Sequence, residues 1–223
     1  MLSEDRERMV ATQIEARGIT DPLVLDAMRA VPRERFVPAS MARFAYDDGP
    51  LPIGKGQTIS QPYIVAVMTA AVRIKPGERV LEIGTGSGYG AAVLARIAGE
   101  VYTVERVGEL AETARRRLAA LGYDNVHVLE GDGSLGWPEH APYEAIVVTA
   151  GGPRVPKALL HQMAVGGRLI MPVGPDSHSQ RLVRVTRTDA HEYEDENLEY
   201  VAFVPLIGAE GWPEGGSTCT STS

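Results

Sequence analysis

The chain has 223 residues, 44% of them apolar and 23% charged, with a formal net charge of −7. That length suits one domain with a full core and an added lobe, and the acidic balance excludes an overall basic field for nucleic acid, although a local patch escapes such a count. The single cysteine, Cys219, excludes an internal disulfide or a cysteine zinc site, and no stretch reads as a signal peptide or membrane span, so a cytoplasmic protein is expected.

Residues 3–17 read as a helix with Ser3 as cap, acids in its first turn, and Leu2, Met9, Val10 and Ile14 as an apolar stripe ending at Gly18. Asp21-Pro22 is a cap followed by proline at the first position of a second helix, with Leu23, Val24, Ala27 and Met28 as its buried face. Residues 32–62 hold five prolines and three glycines, so they cannot be continuous helix or central strand. Phe36, Val37, Phe44, Tyr46, Leu51, Ile53 and Ile59 keep the segment from being a linker, and long ordered loops of this kind are often functional. It closes on Gly56-Gln57-Thr58-Ile59-Ser60-Gln61-Pro62, after which a helix runs from Tyr63 to Val72. Thr58 and Ser60 are either site residues or simple helix caps.

From Pro76 strands and helices alternate. Residues 79–83 form an apolar strand, broken by Gly84, Gly86 and Gly88, and a helix over 88–98 follows. Such a turn brings backbone close to a nucleotide-like ligand at a helix start. A dinucleotide fingerprint counted from Gly84 fails at Tyr89, while one counted from Gly86 reaches Gly88 and Ala91, so spacing alone leaves a nicotinamide cofactor open. Glu82 argues against it: a carboxylate just before the turn suits the cationic S-adenosyl-L-methionine. Glu105 ends the next strand, 101–105, where a carboxylate takes a ribose diol.

A helix over 108–121 follows, with Arg115, Arg116 and Arg117 read as a solvated face. Strand 126–130 ends in Gly131-Asp132-Gly133, where Asp132 is either an acceptor for an adenine amino group or part of an Asp-Gly turn. Then come strand 143–149, a short helix near 156–163, strand 168–172, a strand from Leu182 to Thr188, an acidic solvated turn over 189–197, and a last strand over 198–206. The five histidines, at 127, 140, 161, 178 and 191, form no motif. The whole reads as an α/β, Rossmann-like, doubly wound, mostly parallel sheet ending in an antiparallel hairpin, an ending typical of class I S-adenosylmethionine-dependent methyltransferases. We divide it into residues 1–75 (N-terminal helices and active-site loop), 76–212 (cofactor-binding catalytic domain) and a disordered tail, 213–223.

At this point the chain resembles the protein-L-isoaspartate (D-aspartate) O-methyltransferases. The likeness covers about residues 5–212. Its most specific part is the stretch from Gly56 to Tyr63, joined in order by Leu81–Tyr89, Gly131-Asp132-Gly133, residues 141–146, Gly166–Gly174 and Phe203-Val204-Pro205-Leu206. The resemblance implies transfer of a methyl group from S-adenosyl-L-methionine to the free carboxylate of L-isoaspartyl (and D-aspartyl) residues in damaged proteins, leaving S-adenosyl-L-homocysteine and leading through a succinimide to normal aspartate. It implies Ser60 as the active-site residue. Cofactor contacts are implied at Thr58, Ile59 and Ser60, along the turn at Gly84, Thr85, Gly86, Ser87 and Gly88, and at Glu82, Glu105, Asp132 and Gly133. Substrate contacts are expected at Ile59 and Ser60 and, by strand addition, at Val204 and Pro205. Tyr63 stands where the family often has histidine. Gly151-Gly152 stand where alanines are common, which is expected to loosen that turn. No metal is implied, and a monomer is the default.

An isoaspartyl carboxylate, with an ordinary pKa of about 4, is already an anion near neutral pH, so the reaction needs no strong base. Ser60 is expected to orient that carboxylate, Glu105 to hold the ribose, Asp132 the adenine, and Glu82 the methionine end. The rivals are a methyltransferase for a small molecule or RNA, a nicotinamide oxidoreductase, and a non-catalytic adenosyl-binding module.

Overall fold

The computed structural model describes residues 2–176 and 179–214. The expected disordered tail lies, beyond Glu214, outside the described residues, as does His178. Helix α1 (Leu2–Met9) runs on through a π-helical turn, Val10–Ile14, and a 3-10 turn, Glu15–Arg17. Ser3 therefore lies inside the helix rather than capping it. Gly18, at φ 95°, ends the run as expected. Asp21 caps α2 (Pro22–Ala30) by accepting from Leu23 N, and Leu25 takes the buried position expected of Leu23.

The proline-rich stretch contains two 3-10 turns and a small ribbon. Strands β1 (Leu51–Gly54) and β2 (Gln57–Ile59) pair antiparallel around Gly54, Lys55 and Gly56, all three at positive φ. A two-stranded ribbon tolerates Pro52 because it has only edges. Helix α3 (Pro62–Ala71) follows with proline at its start; its cap residue is Gln61, and no side chain caps it. That removes the capping alternative for Thr58 and Ser60.

The main sheet is built from β3 (Arg79–Ile83), β4 (Glu100–Glu105), β5 (Val126–Glu130), β6 (Tyr143–Val148), β7 (Met163–Val173), β8 (Gln180–Arg187) and β9 (Tyr193–Val201). Its order is β5-β4-β3-β6-β7-β8-β9, parallel from β5 through β7 and antiparallel for β8 and β9. The connecting helices are α4 (Tyr89–Ala95), α5 (Gly108–Ala120) and α6 (Lys157–His161).

Alternation along each strand divides the core. Val80, Ala145, Val147 and Ile170 face the N-terminal layer of Met9, Ile14, Met28 and Phe36, together with α3 and α4. Leu81, Ile83, Ile146, Leu169 and Met171 face α6 and Trp137. The largest departures from the expected boundaries are in β7 and β9. Strand β7 begins five residues early, its register shifting between Tyr143 and Ala145 of its partner. The acidic 189–197 segment is largely strand, and the chain leaves the sheet after Val201 rather than at Leu206. Its acids suit an edge strand, whose outer side faces water, so polarity there does not signal a turn.

Candidate active site

The sheet reverses its winding between β3 and β6, and ligands of open α/β sheets bind outside the carboxyl ends of strands at such a point. Here the ends of β3, β4 and β6 and the glycine after Asp132 meet in one cleft. Its floor is the turn from Gly84 to Ser87. Gly84 sits at φ 94°, and a methyl on it would collide with Thr149 Oγ1. That hydroxyl is placed to donate to the carbonyls of Ile83 (3.0 Å) and Gly84 (2.9 Å), tying the turn to the end of β6. Glu105 completes the brace. Its Oε2 accepts from Gly86 N (2.8 Å) and its Oε1 from Val107 N (2.9 Å).

Glu82 is 1% exposed and lines the cleft. Its Oε2 accepts from Thr103 Oγ1 (2.6 Å), which lies 2.6 Å from Thr85 Oγ1. Burial pushes the Glu82 carboxyl up to about 8; the Thr103 bond opposes the rise and the nearby Glu105 adds to it. A buried carboxyl of this kind is stabilised as an anion by a cation brought beside it. The residues present therefore fit the positive methionine end of S-adenosyl-L-methionine.

The facing wall comes from the β1–β2 ribbon. Thr58, Ile59 and Ser60 line the cleft with Gln57. The Ile53 side chain lies 3.4 Å from the position a Gly86 Cβ would take, so the ribbon covers the turn. Lys55 Nζ reaches Glu109 Oε1 at 2.6 Å and pins the ribbon tip to α5. The hydroxyls of Thr58 and Ser60 make no hydrogen bond to another described residue. A third wall is the segment Val204–Ile207. It is not the strand end expected of it. Gly151 N donates to Val204 O and Leu206 N to Gly151 O, both at 2.8 Å, so part of the backbone expected to pair with substrate is already engaged.

Thus Thr58, Ile59, Ser60, Glu82, Gly84, Thr85, Gly86, Ser87, Glu105, Gly133, Val204 and Pro205 share one cleft. Two expected residues stand outside its lining. Gly88, at φ 89°, packs under Leu118, where a methyl would be crowded at 3.2 Å. Asp132 turns its carboxylate to Ser134 N (2.9 Å), Ser134 Oγ (2.7 Å) and Ala209 N (2.7 Å). Burial works to raise that carboxyl, but these bonds hold it below the usual range. The Gly151-Gly152 turn is not loosened: besides the bonds above, Trp212 Nε1 donates to Gly151 O (3.1 Å) and Gly152 N to Pro172 O (3.0 Å).

Sequence reasoning missed Thr149, Arg106 and Tyr89, which line the cleft, and Arg117. Arg117 Nη1 donates to Ser87 O at 2.6 Å, and Arg115 Nη2 to Val128 O at 3.0 Å, so only Arg116 of the three arginines belongs to a purely solvated face. The signal for Arg117 was its place three residues after buried Ala114 and seven after buried Leu110, beside the apolar face of α5.

Comparison with known proteins gives the same reading. The family model of protein-L-isoaspartate(D-aspartate) O-methyltransferase matches residues 4–211. A protein-L-isoaspartate O-methyltransferase 1 of Rhodopseudomonas palustris (strain HaA2) is 66% identical over 207 residues, covering 93% of this chain and 84% of that protein. Among solved structures, a protein-L-isoaspartate O-methyltransferase superposes with TM-score 0.83 at 33% identity, covering 92% of this chain and 67% of that one. A putative enzyme of the same name from Plasmodium falciparum, in complex with S-adenosyl-L-homocysteine, gives 0.77 at 25% identity, covering 91% of this chain and 98% of that one. The chain belongs to the protein-L-isoaspartate(D-aspartate) O-methyltransferase family.

Proposed function

We propose that this cleft carries out repair methylation of isoaspartyl carboxylates, with Ser60 as the residue that orients the acceptor. The observation that carries the reading is the meeting of the ribbon end, Thr58-Ile59-Ser60, with a glycine turn backed by a buried carboxyl, in a single cleft. S-adenosyl-L-methionine, when bound, supplies a methyl on a sulfonium; the carbon–oxygen bond to the carboxylate forms as the carbon–sulfur bond breaks, and the electron pair stays on sulfur as S-adenosyl-L-homocysteine.

The residues of the chain hold and align. The Ser60 hydroxyl donates to one oxygen of the isoaspartyl carboxylate and leaves the other free to attack. The acceptor arrives ionised, so no proton is removed and no histidine is needed. Glu105, its two oxygens already gripped by backbone, keeps lone pairs for the ribose diol. Gly133 lines the cleft where the adenine is expected, and it must be glycine because any side chain there would collide with Ile83. Asp132 stands outside the cleft lining and has three of about four lone-pair positions occupied, so at most one is left for the adenine amino group. Glu82 faces the methionine end. The ribbon excludes water, which would otherwise solvate the carboxylate and weaken it as a nucleophile. The ester product is a better leaving group than the acid; it closes to a succinimide, which opens in part to normal aspartate.

Residues 1–75 act here as the wall-bearing part and residues 76–212 as the cofactor-binding part. We also infer a cytoplasmic monomer that does not bind nucleic acid. The net charge of −7 supports the last point. Glu194, Asp195 and Glu199 along the outer strand β9 oppose edge-to-edge pairing of two copies.

The test is methyl transfer from labelled S-adenosyl-L-methionine to paired peptides, one with isoaspartate and one with aspartate at the same position. Base-labile label on the isoaspartyl peptide alone is expected. Label on neither peptide, with cofactor demonstrably bound, overturns the reading.

A further inference from the structure

Behind the third wall lies a side chain that the proposed chemistry does not use. Gln180, the first residue of β8, is 1% exposed and does not line the cleft. Its neighbours explain why a polar amide is buried there. The β8–β9 pairing ends at Gln180 opposite Val201, and the chain then leaves the sheet. The Gln180 side chain continues the ladder beyond that point. Phe203 N donates to Gln180 Oε1 at 2.8 Å, and Gln180 Nε2 donates to Phe203 O at 3.2 Å. One amide thus gives Phe203 the donor and acceptor that a neighbouring strand would have given. The next residue, Val204, accepts from Gly151, and Leu206 donates back to it. Gly151 also makes room for the amide, since a methyl at that position would overlap Gln180 Nε2.

We propose that Gln180 is a positioning residue for the peptide-binding wall. It fixes where Phe203 leaves the sheet, and so sets the place of Val204 and Pro205 relative to Ser60. The cofactor floor hangs instead on Thr149, Glu105 and Arg117, none of which bonds to Gln180. Losing the amide therefore moves the substrate wall without moving the floor. The inference rests on the reading of Val204 and Pro205 as substrate contacts.

The test compares the wild type with Gln180→Met, which keeps the length and loses both bonds, and with Val204→Phe, which narrows the wall directly. For Gln180→Met the KM for an isoaspartyl peptide is expected to rise about tenfold, the scale set by losing one buried hydrogen-bonded group. The Kd for S-adenosyl-L-homocysteine is expected to stay within about twofold, because the bonds bracing the turn are untouched. Gln180→Asn, one methylene short, is expected to fall between. An unchanged KM, or a cofactor Kd that rises in parallel, overturns the proposal. If Val204→Phe leaves KM unchanged, the wall reading itself fails; if it raises KM while Gln180→Met does not, the assignment of Gln180 alone fails. Where Gln180→Met does not fold, hydrogen exchange on the wild-type protein decides. A protected Phe203 amide supports the proposal, and a Phe203 amide exchanging as fast as that of exposed Ala202 overturns it.

Discussion

The floor and the ribbon wall of the cleft are built on opposite plans. On the floor the polar groups are engaged with one another. Thr149 holds two carbonyls, Glu105 two backbone amides, Thr103 the Glu82 carboxyl, and Arg117 the Ser87 carbonyl. On the ribbon wall the hydroxyls of Thr58 and Ser60 bond to nothing among the described residues. A surface whose groups are satisfied internally is fixed before a ligand arrives, whereas groups left open contribute only when something binds. The floor is thus preorganised for the cofactor, and Ser60 is held in reserve for the acceptor.

The largest expected effect breaks the floor. Gly84→Ala forces a side chain into a left-handed turn and against Thr149, so the cofactor Kd rises at least about a hundredfold, as titration calorimetry would measure.

The next sharpens the comparison through charge. The Glu82 carboxyl is raised from 4.5 to about 8 in the fold, so between those values the folded protein holds a proton that the unfolded chain releases. Its stability contribution is therefore lost as pH climbs through that interval, at about 1.4 kcal/mol per unit at most. A bound cation reverses the preference by favouring the anion. Cofactor affinity should rise about tenfold between pH 6 and pH 8 as the carboxyl ionises. Glu82→Gln should abolish that rise and flatten the ligand-free melting profile over the same interval. A slope that survives in the Gln variant belongs to another group.

The smallest effect concerns the ribbon tip. Lys55 and Glu109 form an exposed pair, so Lys55→Ala should change turnover by about twofold or less, measured under saturating cofactor. A larger change would mean that the ribbon is held mainly at its tip rather than by Ile53 over the turn.

The sequence made the floor legible because its parts are local. A strand, three glycines and a helix follow one another within residues 79–95, and Glu105 ends the next strand. The ribbon was visible only as a proline-rich segment too apolar to be a linker. Its pairing depends on a turn in which Lys55 takes positive φ, which composition does not reveal. The last strand was misplaced because acids at 194–196 read as a turn, although one open edge lets them face water. The engagement of Asp132 was illegible for a different reason. Its partner Ala209 lies 77 residues away in sequence, and no local pattern announces such a contact. Gln180 belongs with Asp132: its use becomes apparent only when Phe203 is placed beside it.

The division between a fixed floor and an open wall is tested most directly by Ser60→Ala, with turnover on an isoaspartyl peptide and cofactor Kd measured on the same preparation. The account predicts that kcat falls about a hundredfold, from lost alignment of the acceptor, while the cofactor Kd stays within about twofold. Unchanged turnover, or a Kd that weakens in step with it, would contradict the account.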